Sequence, residues 1–241
     1  MGKKYTKQEL IAWAQRREGH LIHELAALSE NDRIRALLSE DTGLLREGDA
    51  EDATPLHYAS AVGNPDTLSL LLAYGAQVNT PNVHEETPLL WALIEPRTHE
   101  RREKIAALVK ARARINHANV DGETALHQSF RDNKVTQFLL KHGADVNAVN
   151  IYQWTPLHYA ALFDDFVAST LHLLAHNANP NATDDEGFTP LHLTVQNGSI
   201  LTAALLINAG ANRKVQDHKG MTPYDTAQEL DAPEELIKLL K

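Results

Sequence analysis

The chain has 241 residues, of which 43% are hydrophobic, and a net charge of −9 at pH 7 with histidine counted as neutral. This composition allows a sizeable buried core and excludes a disordered chain, while the acidic balance argues against a general nucleic-acid binder. The absence of cysteine excludes disulfides, thiolate catalysis, iron–sulfur clusters and cysteine-bound zinc.

The N-terminal part of the chain contains two different segments. Residues 1–19 are polar and charged and predict an N-terminal helical extension, whereas residues 20–48 predict a degenerate repeat that caps an array downstream. Apolar positions in this second segment recur downstream at a constant offset. Ile34, Leu37 and Leu38 correspond in this way to Leu68, Leu71 and Leu72. No apolar run reaches the length of a signal peptide or a membrane span, so we expect a cytoplasmic or otherwise intracellular protein without a membrane span.

A six-residue motif recurs through the rest of the chain. The sequence Thr-Pro-Leu-His-Tyr-Ala begins at Thr54 and again at Thr155, and related versions begin at Thr87, Thr124, Thr189 and Thr222. Successive threonines are 33, 37, 31, 34 and 33 residues apart. A period of this size is typical of stacked repeats in a solenoid and not of a globular enzyme core.

Each repeating unit carries signals for two helices. Threonine is a favoured N-cap, and proline after it lacks only an N–H that would be unpaired in the first turn, so Thr-Pro begins the first helix. The second, leucine-rich helix ends at a residue predicted to be left-handed. These stops are Gly75, Arg112, Gly143, Asn177 and Gly210, each 12 residues before the next threonine. The connection between units therefore has a fixed length, and the length variation lies between the two helices.

These motifs resemble the ankyrin repeat, whose consensus has Thr-Pro-Leu-His near the first helix and Gly-Ala-Asp-Val-Asn after the second. The match is close at residues 143–147 and is recognisable over residues 49–241. The resemblance implies an all-α ankyrin-repeat solenoid of stacked antiparallel helix pairs joined by β-hairpin-like connections. It further implies repeats over residues 49–216 and a C-terminal capping repeat over residues 217–241.

Three units depart from the family at the turn position two residues before the threonine. Asp52, Glu85 and Gln153 stand where the family has glycine. If φ is positive there, each costs roughly 1 kcal/mol relative to glycine. We therefore expect these turns to be locally weaker.

The recurrent histidines raise the question of a metal site. The resemblance implies that His57, His127, His158 and His192 are structural, each bonded to the start of its own unit and to the neighbouring connection. His172 and His176 lie four residues apart on one predicted helix, but without a third ligand the pattern favours a solvated face. The spacing of His20, His23 and Glu24 does not match a zinc-protease motif, and we interpret it as coincidental.

No motif in the sequence indicates catalysis. Neighbouring carboxylates such as Asp164 with Asp165, or Asp184 with Asp185, cannot flank a substrate from two sides as an acid and a base must. The sequence also lacks a phosphate-binding glycine loop and a nucleophile elbow. We therefore expect a protein that is not an enzyme and that holds no cofactor or metal; a metal-dependent hydrolase is the disfavoured alternative.

The unit that begins at Thr155 differs from the others in its aromatic residues. The resemblance implies that this chain, like ankyrin-repeat proteins, binds through its connection tips and the concave surface of its first helices. At these positions the unit and its successor carry a predicted apolar anchor set and an acidic rim, namely Tyr152, Trp154, Leu162, Phe163 and Phe188 with Asp164, Asp165, Asp185 and Glu186. Because exposed aromatic clusters mark interfaces, this set predicts a partner-binding surface. An equally weighted alternative is that Trp154 and Phe163 pack on neighbouring units.

A basic stretch covers residues 97–114, where seven Lys or Arg residues accompany two Glu. It predicts a second candidate surface for an acidic partner, built from Arg97, Arg101, Arg102 and Lys104. The simpler interpretation, which weighs more, is an exposed helix face balanced by its own Glu residues.

The leading hypothesis is a non-catalytic protein–protein interaction module, a scaffold that is monomeric on its own and binds an unidentified partner protein but no nucleic acid. A second hypothesis is that the protein is a substrate for asparagine hydroxylation, because residues 139–148 resemble hydroxylated ankyrin sequences with Leu139 and Asn147 at the matching separation. A third is an intracellular bacterial effector or adaptor delivered into a host cell.

Overall fold

A computed structural model of the chain describes residues 21–94 and 99–241. Within these residues the chain is helical and contains no β-strand, so the all-α prediction is confirmed. It divides into two compact units, the first ending at Val120 and the second beginning at Asp121. The predicted N-terminal extension over residues 1–19 lies outside the described residues.

The first unit contains three antiparallel helix pairs in its described part. They are α1 (Leu21–Leu28) with α2 (Asn31–Glu40), α3 (Pro55–Ala61) with α4 (Pro65–Ala73), and α5 (Pro88–Trp91) with α6 (His99–Lys110). A 3-10 turn over Thr42–Arg46 follows α2. The first helices of the pairs contact one another in one layer, α1 with α3 and α3 with α5, while α4 contacts α6 in a second layer.

The second unit contains four such pairs. They are α7 (Ala125–Ser129) with α8 (Asn133–Lys141), α9 (Pro156–Ala161) with α10 (Val167–Ala175), α11 (Pro190–Gln196) with α12 (Ile200–Asn208), and α13 (Pro223–Glu229) with α14 (Glu234–Leu240). A 3-10 turn over Asp164–Phe166 joins α9 to α10. First helices again contact first helices, and second helices contact second helices, so leucines such as Leu139, Leu157 and Leu173 are buried between neighbouring pairs.

The repeated histidines hold each first helix to the next connection, as the resemblance implied. Nδ1 of His158 accepts a hydrogen bond from the backbone N–H of Thr155 at 3.0 Å, and Nε2 donates to the carbonyl of Phe188 at 3.2 Å. His57, His127 and His192 make the same pair of contacts in their own repeats.

His23 belongs to the same series of bridging histidines, a role that was not predicted from the sequence. Its ring is buried, and Nε2 lies 3.1 Å from the carbonyl of Glu47 and 3.0 Å from that of Ala53. The signal is present in the sequence, because the interval from His23 to His57 equals the interval from His158 to His192. It is obscured because the Thr-Pro-Leu that marks the later repeats is missing before His23.

The predicted left-handed positions are confirmed. Backbone φ is positive at all five helix stops, with values of 93° at Gly75, 69° at Arg112, 88° at Gly143, 67° at Asn177 and 92° at Gly210. It is also positive at the three turns that lack glycine, where Asp52, Glu85 and Gln153 have values of 59°, 57° and 59°. Residues other than glycine rarely adopt this backbone conformation, so each of these three turns carries a local cost in folding free energy.

One polar residue, five positions before the threonine, fixes the shape of each of five connections. Oδ1 of Asn150 accepts hydrogen bonds from the backbone N–H groups of Tyr152 at 3.0 Å and Trp154 at 2.9 Å. Asp49, Asn82, Asp184 and Asp217 do the same in their connections. Asp and Asn favour such turns because a short side chain can satisfy nearby backbone donors.

Candidate functional site

The predicted partner-binding residues all lie in the second unit, in two groups that flank α9. Tyr152 and Trp154 lie on the connection before α9, and the next connection runs beside it, because the backbone N–H of Asp185 donates to the carbonyl of Tyr152 at 3.2 Å. Leu162 and Phe163 lie beyond the other end of α9, on the loop toward α10. The helix α9 therefore separates a connection group from a loop group.

Trp154 is half-buried and held in place from two sides. Its indole Nε1 donates to Oδ2 of the buried Asp184 at 3.0 Å. Its ring stacks on His158 with centroids 6.0 Å apart and meets Tyr159 edge-on at 5.0 Å. The indole thus packs within its own repeat and bonds to the next connection, while part of its surface stays open to solvent.

Five aromatic rings form a continuous series across the unit, which we call the aromatic ladder. Trp154 contacts Tyr159, Tyr159 stacks on Phe130 at 5.6 Å, Phe130 meets Phe166 at 4.9 Å, and Phe166 meets Phe163 at 5.8 Å. Aromatic pairs of this kind contribute about 0.5–1.5 kcal/mol each beyond their burial. The ladder connects the connection group to the loop group through packed side chains.

Three members of the ladder are not among the residues predicted from the sequence. Tyr159 lies inside the recurrent motif, whereas Phe130 and Phe166 lie in the short segments between paired helices. The hydroxyl of Tyr159 donates to Glu123 and accepts from Nδ2 of Asn150. Burial, together with the Glu123 carboxylate, raises the pKa of Tyr159 above its ordinary value, so the phenol stays protonated and continues to donate.

Two aromatic side chains at the ends of this region are open to solvent. Tyr152 is 52% exposed at the connection, and Phe163 is 42% exposed on the loop. Leu162 and Phe188 are half-buried beside them. We call Tyr152, Phe163 and the half-buried faces of Trp154 and Tyr159 the aromatic surface. It offers apolar area at its ends, and the ladder joins its Trp154, Tyr159 and Phe163 rings.

The acidic residues of the predicted rim do not share one environment. Asp164 is half-buried, and its carboxylate accepts hydrogen bonds from the backbone N–H groups of Leu201 and Thr202, at 3.2 and 2.9 Å. It also accepts from Oγ1 of Thr202 at 2.9 Å. Asp164 therefore caps α12 of the following repeat from outside that helix. Asp165, Asp185 and Glu186 are exposed and remain as the solvent-facing acids.

Replacing Asp164 by Ala is expected to destabilise the second unit by about 1–2 kcal/mol, because the first amides of α12 lose a charged acceptor. Asp165→Ala is the matched control: it removes the same charge from an exposed neighbour and is expected to change stability by less than about 0.5 kcal/mol. Urea denaturation of both variants measures the difference. Equal midpoints for the two would show that the cap contributes nothing.

The second candidate surface is not assembled as expected. Arg97 lies outside the described residues, and Arg102 is half-buried. Arg101 and Lys104 are buried on α6, with 3% and 0% of their surface exposed. Nζ of Lys104 donates to the carbonyl of Gly63 at 2.9 Å, near the C-terminal end of α3. Contrary to the expectation, Arg101 and Lys104 do not contribute to a surface patch, because packing between repeats draws this face of α6 inward.

Asn147, the predicted modification site, lies at an exposed position but its side chain is engaged. Oδ1 accepts from the backbone N–H of Asn179 at 2.8 Å, and Nδ2 donates to the carbonyl of Asn177 at 3.3 Å. The side chains of Asn79 and Asn181 bond to the next repeat in the same way. The asparagine series therefore joins neighbouring connections, and hydroxylation at Asn147 would require the enzyme to release these bonds.

Two other kinds of feature are missing from the part of the chain that the structure describes. In residues 21–94 and 99–241, no group of three His, Asp or Glu side chains is placed to hold a metal ion. In the same ranges, no helix has both the length and the apolar character that crossing a bilayer requires.

Comparison with known proteins identifies the architecture. A family model for ankyrin repeats matches in three copies, over residues 22–119, 99–172 and 166–241. The chain is 31% identical over 167 residues to a transient receptor potential cation channel subfamily A member 1 homolog of Caenorhabditis elegans, a match that covers 63% of this chain and 13% of that protein. It is 33% identical over 107 residues to a putative ankyrin repeat protein of fowlpox virus, covering 44% of this chain and 15% of that protein.

Among solved structures, the crystal structure of the ankyrin repeat domain of Bcl-3, a member of the IkappaB protein family, superposes with a TM-score of 0.76. The superposition covers 93% of this chain and 99% of that chain at 25% identity. The chain thus spans nearly all of a solved repeat domain but only 13% and 15% of the two curated relatives. The likeness to those relatives concerns ankyrin repeats alone.

Proposed function

Because the chain belongs to the ankyrin repeat family, we propose that it is a non-catalytic module that binds a partner protein on the aromatic surface of its second unit. The repeats form a fold that serves generally in protein–protein interaction. In this chain Tyr152 and Phe163 are the anchors at the two ends of the surface, and Trp154 contributes the open part of its indole between them.

The observation that carries the proposal is the exposure of two aromatic side chains, Phe163 packed on the aromatic ladder and Tyr152 on a connection whose backbone bonds to Asn150. Tyrosine and tryptophan are enriched among the residues that dominate binding energy, and rigid aromatic anchors lose little conformational entropy on binding. Trp154 is fixed by Asp184 and by the aromatic ladder. A partner that covers Tyr152 and Phe163 would therefore bury apolar surface without first ordering the groups beneath it.

We further propose that the protein acts as a monomer in the cytoplasm. The cysteine-free sequence supports this location, because a chain without disulfides suits a reducing compartment.

Affinity capture from the native host, with the whole chain as bait, tests the proposed function. We expect the double variant Tyr152→Ala with Phe163→Ser to lose captured partners, since two anchors at about 1–2 kcal/mol each amount to at least a tenfold loss of affinity. The control is Tyr74→Ala with Leu171→Ala, which removes two exposed apolar side chains elsewhere. Unchanged capture by the first variant, with its fold intact by circular dichroism, would contradict the placement.

A further inference from the structure

The second unit carries a long stretch without Lys or Arg. Between Lys141 and Arg213 the sequence has neither residue type, while it has six acidic residues: Asp145, Asp164, Asp165, Asp184, Asp185 and Glu186. The stretch contains the whole of α9 to α12 and therefore both ends of the aromatic surface. Three of the six acids are used internally: Asp145 accepts the backbone N–H of Asn147, Asp164 caps a helix, and Asp184 accepts from its turn and from the Trp154 indole.

The three remaining acids lie next to the exposed aromatic anchors. Asp185 bonds through its backbone to Tyr152, and Glu186 follows it at the same connection tip. Asp165 follows Phe163 by two residues on the loop. All three are exposed, and within the described part of the chain none of them takes part in an ion pair. Each end of the aromatic surface thus combines an open ring with open carboxylate charge.

This combination has a defined electrostatic complement. Carboxylates that no neighbouring cation neutralises attract a positively charged partner and repel a negatively charged one. Aromatic rings accept cations over their faces, most often the guanidinium of arginine. The ladder already holds one such contact, because the guanidinium carbon of Arg131 lies 5.3 Å from the centre of the Phe130 ring.

We propose that the occupant of the aromatic surface is a basic, extended segment of a partner protein. Its Lys or Arg side chains pair with Asp185 and Glu186 at the connection and with Asp165 at the loop, and its apolar or arginine side chains cover Tyr152, Trp154 and Phe163. The inference rests on the proposed function and specifies the chemistry of its partner. Anionic partners, including nucleic acids and acidic peptides, are repelled from this surface.

Selection of short random peptides, displayed and panned against the whole chain, tests this inference while the partner itself is still unidentified. We expect the enriched peptides to be rich in Lys and Arg with a net positive charge. Their affinity should fall steeply as the salt concentration rises from about 0.05 M to 0.5 M, because exposed charges are screened.

Charge reversal then locates the contact. Asp185→Lys with Glu186→Lys is expected to weaken the most enriched peptide at least tenfold in fluorescence anisotropy. Glu229→Lys with Glu235→Lys is the matched control, since it makes the same change of charge at exposed positions outside the stretch. This control should change the affinity less than threefold.

The peptide experiments and the capture experiment can fail independently, so the basic-segment inference and the proposed function are tested separately. Enrichment of neutral or acidic peptides, equal effects of the two charge reversals, or failure to select any peptide would each overturn the basic-segment inference. The proposed function would still stand if capture from the host were lost in the Tyr152→Ala, Phe163→Ser variant. It would fall if that capture were unchanged.

Discussion

Lowering the pH from 7 to about 4.5 is expected to destabilise the folded protein by on the order of 3 kcal/mol or more, with most of the loss below pH 6.5. The cause is the buried histidines that hold each first helix to the next connection. Burial lowers the pKa of His57 and of His158 from 6.5 to about 4, and it also lowers the pKa of His127 and His192.

The hydrogen bonds explain why these rings resist protonation. Nδ1 of His57 accepts the backbone N–H of Thr54 at 2.9 Å, so a proton placed on Nδ1 would meet another donor. Nε2 already carries the hydrogen that it donates to the carbonyl of Glu86 at 3.0 Å. The neutral Nε2–H tautomer is therefore the one that satisfies every partner of the ring.

The direction of the pH effect on stability follows from how many protons the folded and unfolded states bind. In the unfolded chain the histidines take up protons as the pH falls through 6.5, whereas in the folded chain His57 and His158 remain neutral until about pH 4. The unfolded state then binds more protons, so the free energy of unfolding falls by up to about 1.4 kcal/mol per pH unit for each such histidine. The stability is fully present above pH 6.5 and is lost as the pH falls toward the folded pKa.

Urea denaturation at closely spaced pH values between 7 and 4.5 measures this loss. Above pH 5 most carboxylates are still ionised, so the histidine contribution dominates between pH 6.5 and 5. A free energy of unfolding that stays level across that interval would contradict the assignment of the rings as neutral bridges.

Replacing His158 by Ala is expected to destabilise the second unit by about 3–5 kcal/mol. The change removes the acceptor for Thr155 and the donor for the carbonyl of Phe188, and it leaves a cavity beside Trp154. Buried polar groups without partners cost about 1–3 kcal/mol each, and deletion of a buried side chain adds a cavity cost.

His172→Ala is the matched control for that substitution. His172 is half-buried on α10, and its loss is expected to change the free energy of unfolding by less than about 1 kcal/mol. Denaturant midpoints of the two variants at pH 7.5 give the comparison. Similar losses for the two would show that the bridge is no more stabilising than an ordinary helix-surface ring.

The histidine bridge and the helix boundaries could be predicted because their sequence signals are short and recur from repeat to repeat. Each signal spans only a few residues: Thr-Pro, the histidine three residues after Thr, and the left-handed stop. Each can therefore be recognised within one repeat, and its recurrence in the next repeat supports the prediction. The same period, extended back through residues 20–48, points to His23.

Other features depend on packing between repeats and leave no local signal. Arg101 and Lys104 lie three residues apart in a polar helix, a pattern typical of a solvated face, yet the neighbouring repeat covers them. The sequence pattern predicts Asp164 at a binding rim, but its carboxylate reaches the next repeat's helix, a contact that only the inter-repeat geometry determines. The aromatic ladder likewise joins residues from adjacent repeats.

Site-specific photocrosslinking in living cells of the native host tests the central claim most directly. A photoreactive phenylalanine analogue would be placed at Phe163 and, in a separate protein, at Leu171, which is similarly exposed on α10. If the aromatic surface is the binding surface, position 163 crosslinks a discrete partner protein and position 171 does not. A partner crosslinked equally well from both positions, or from position 171 alone, would contradict the account.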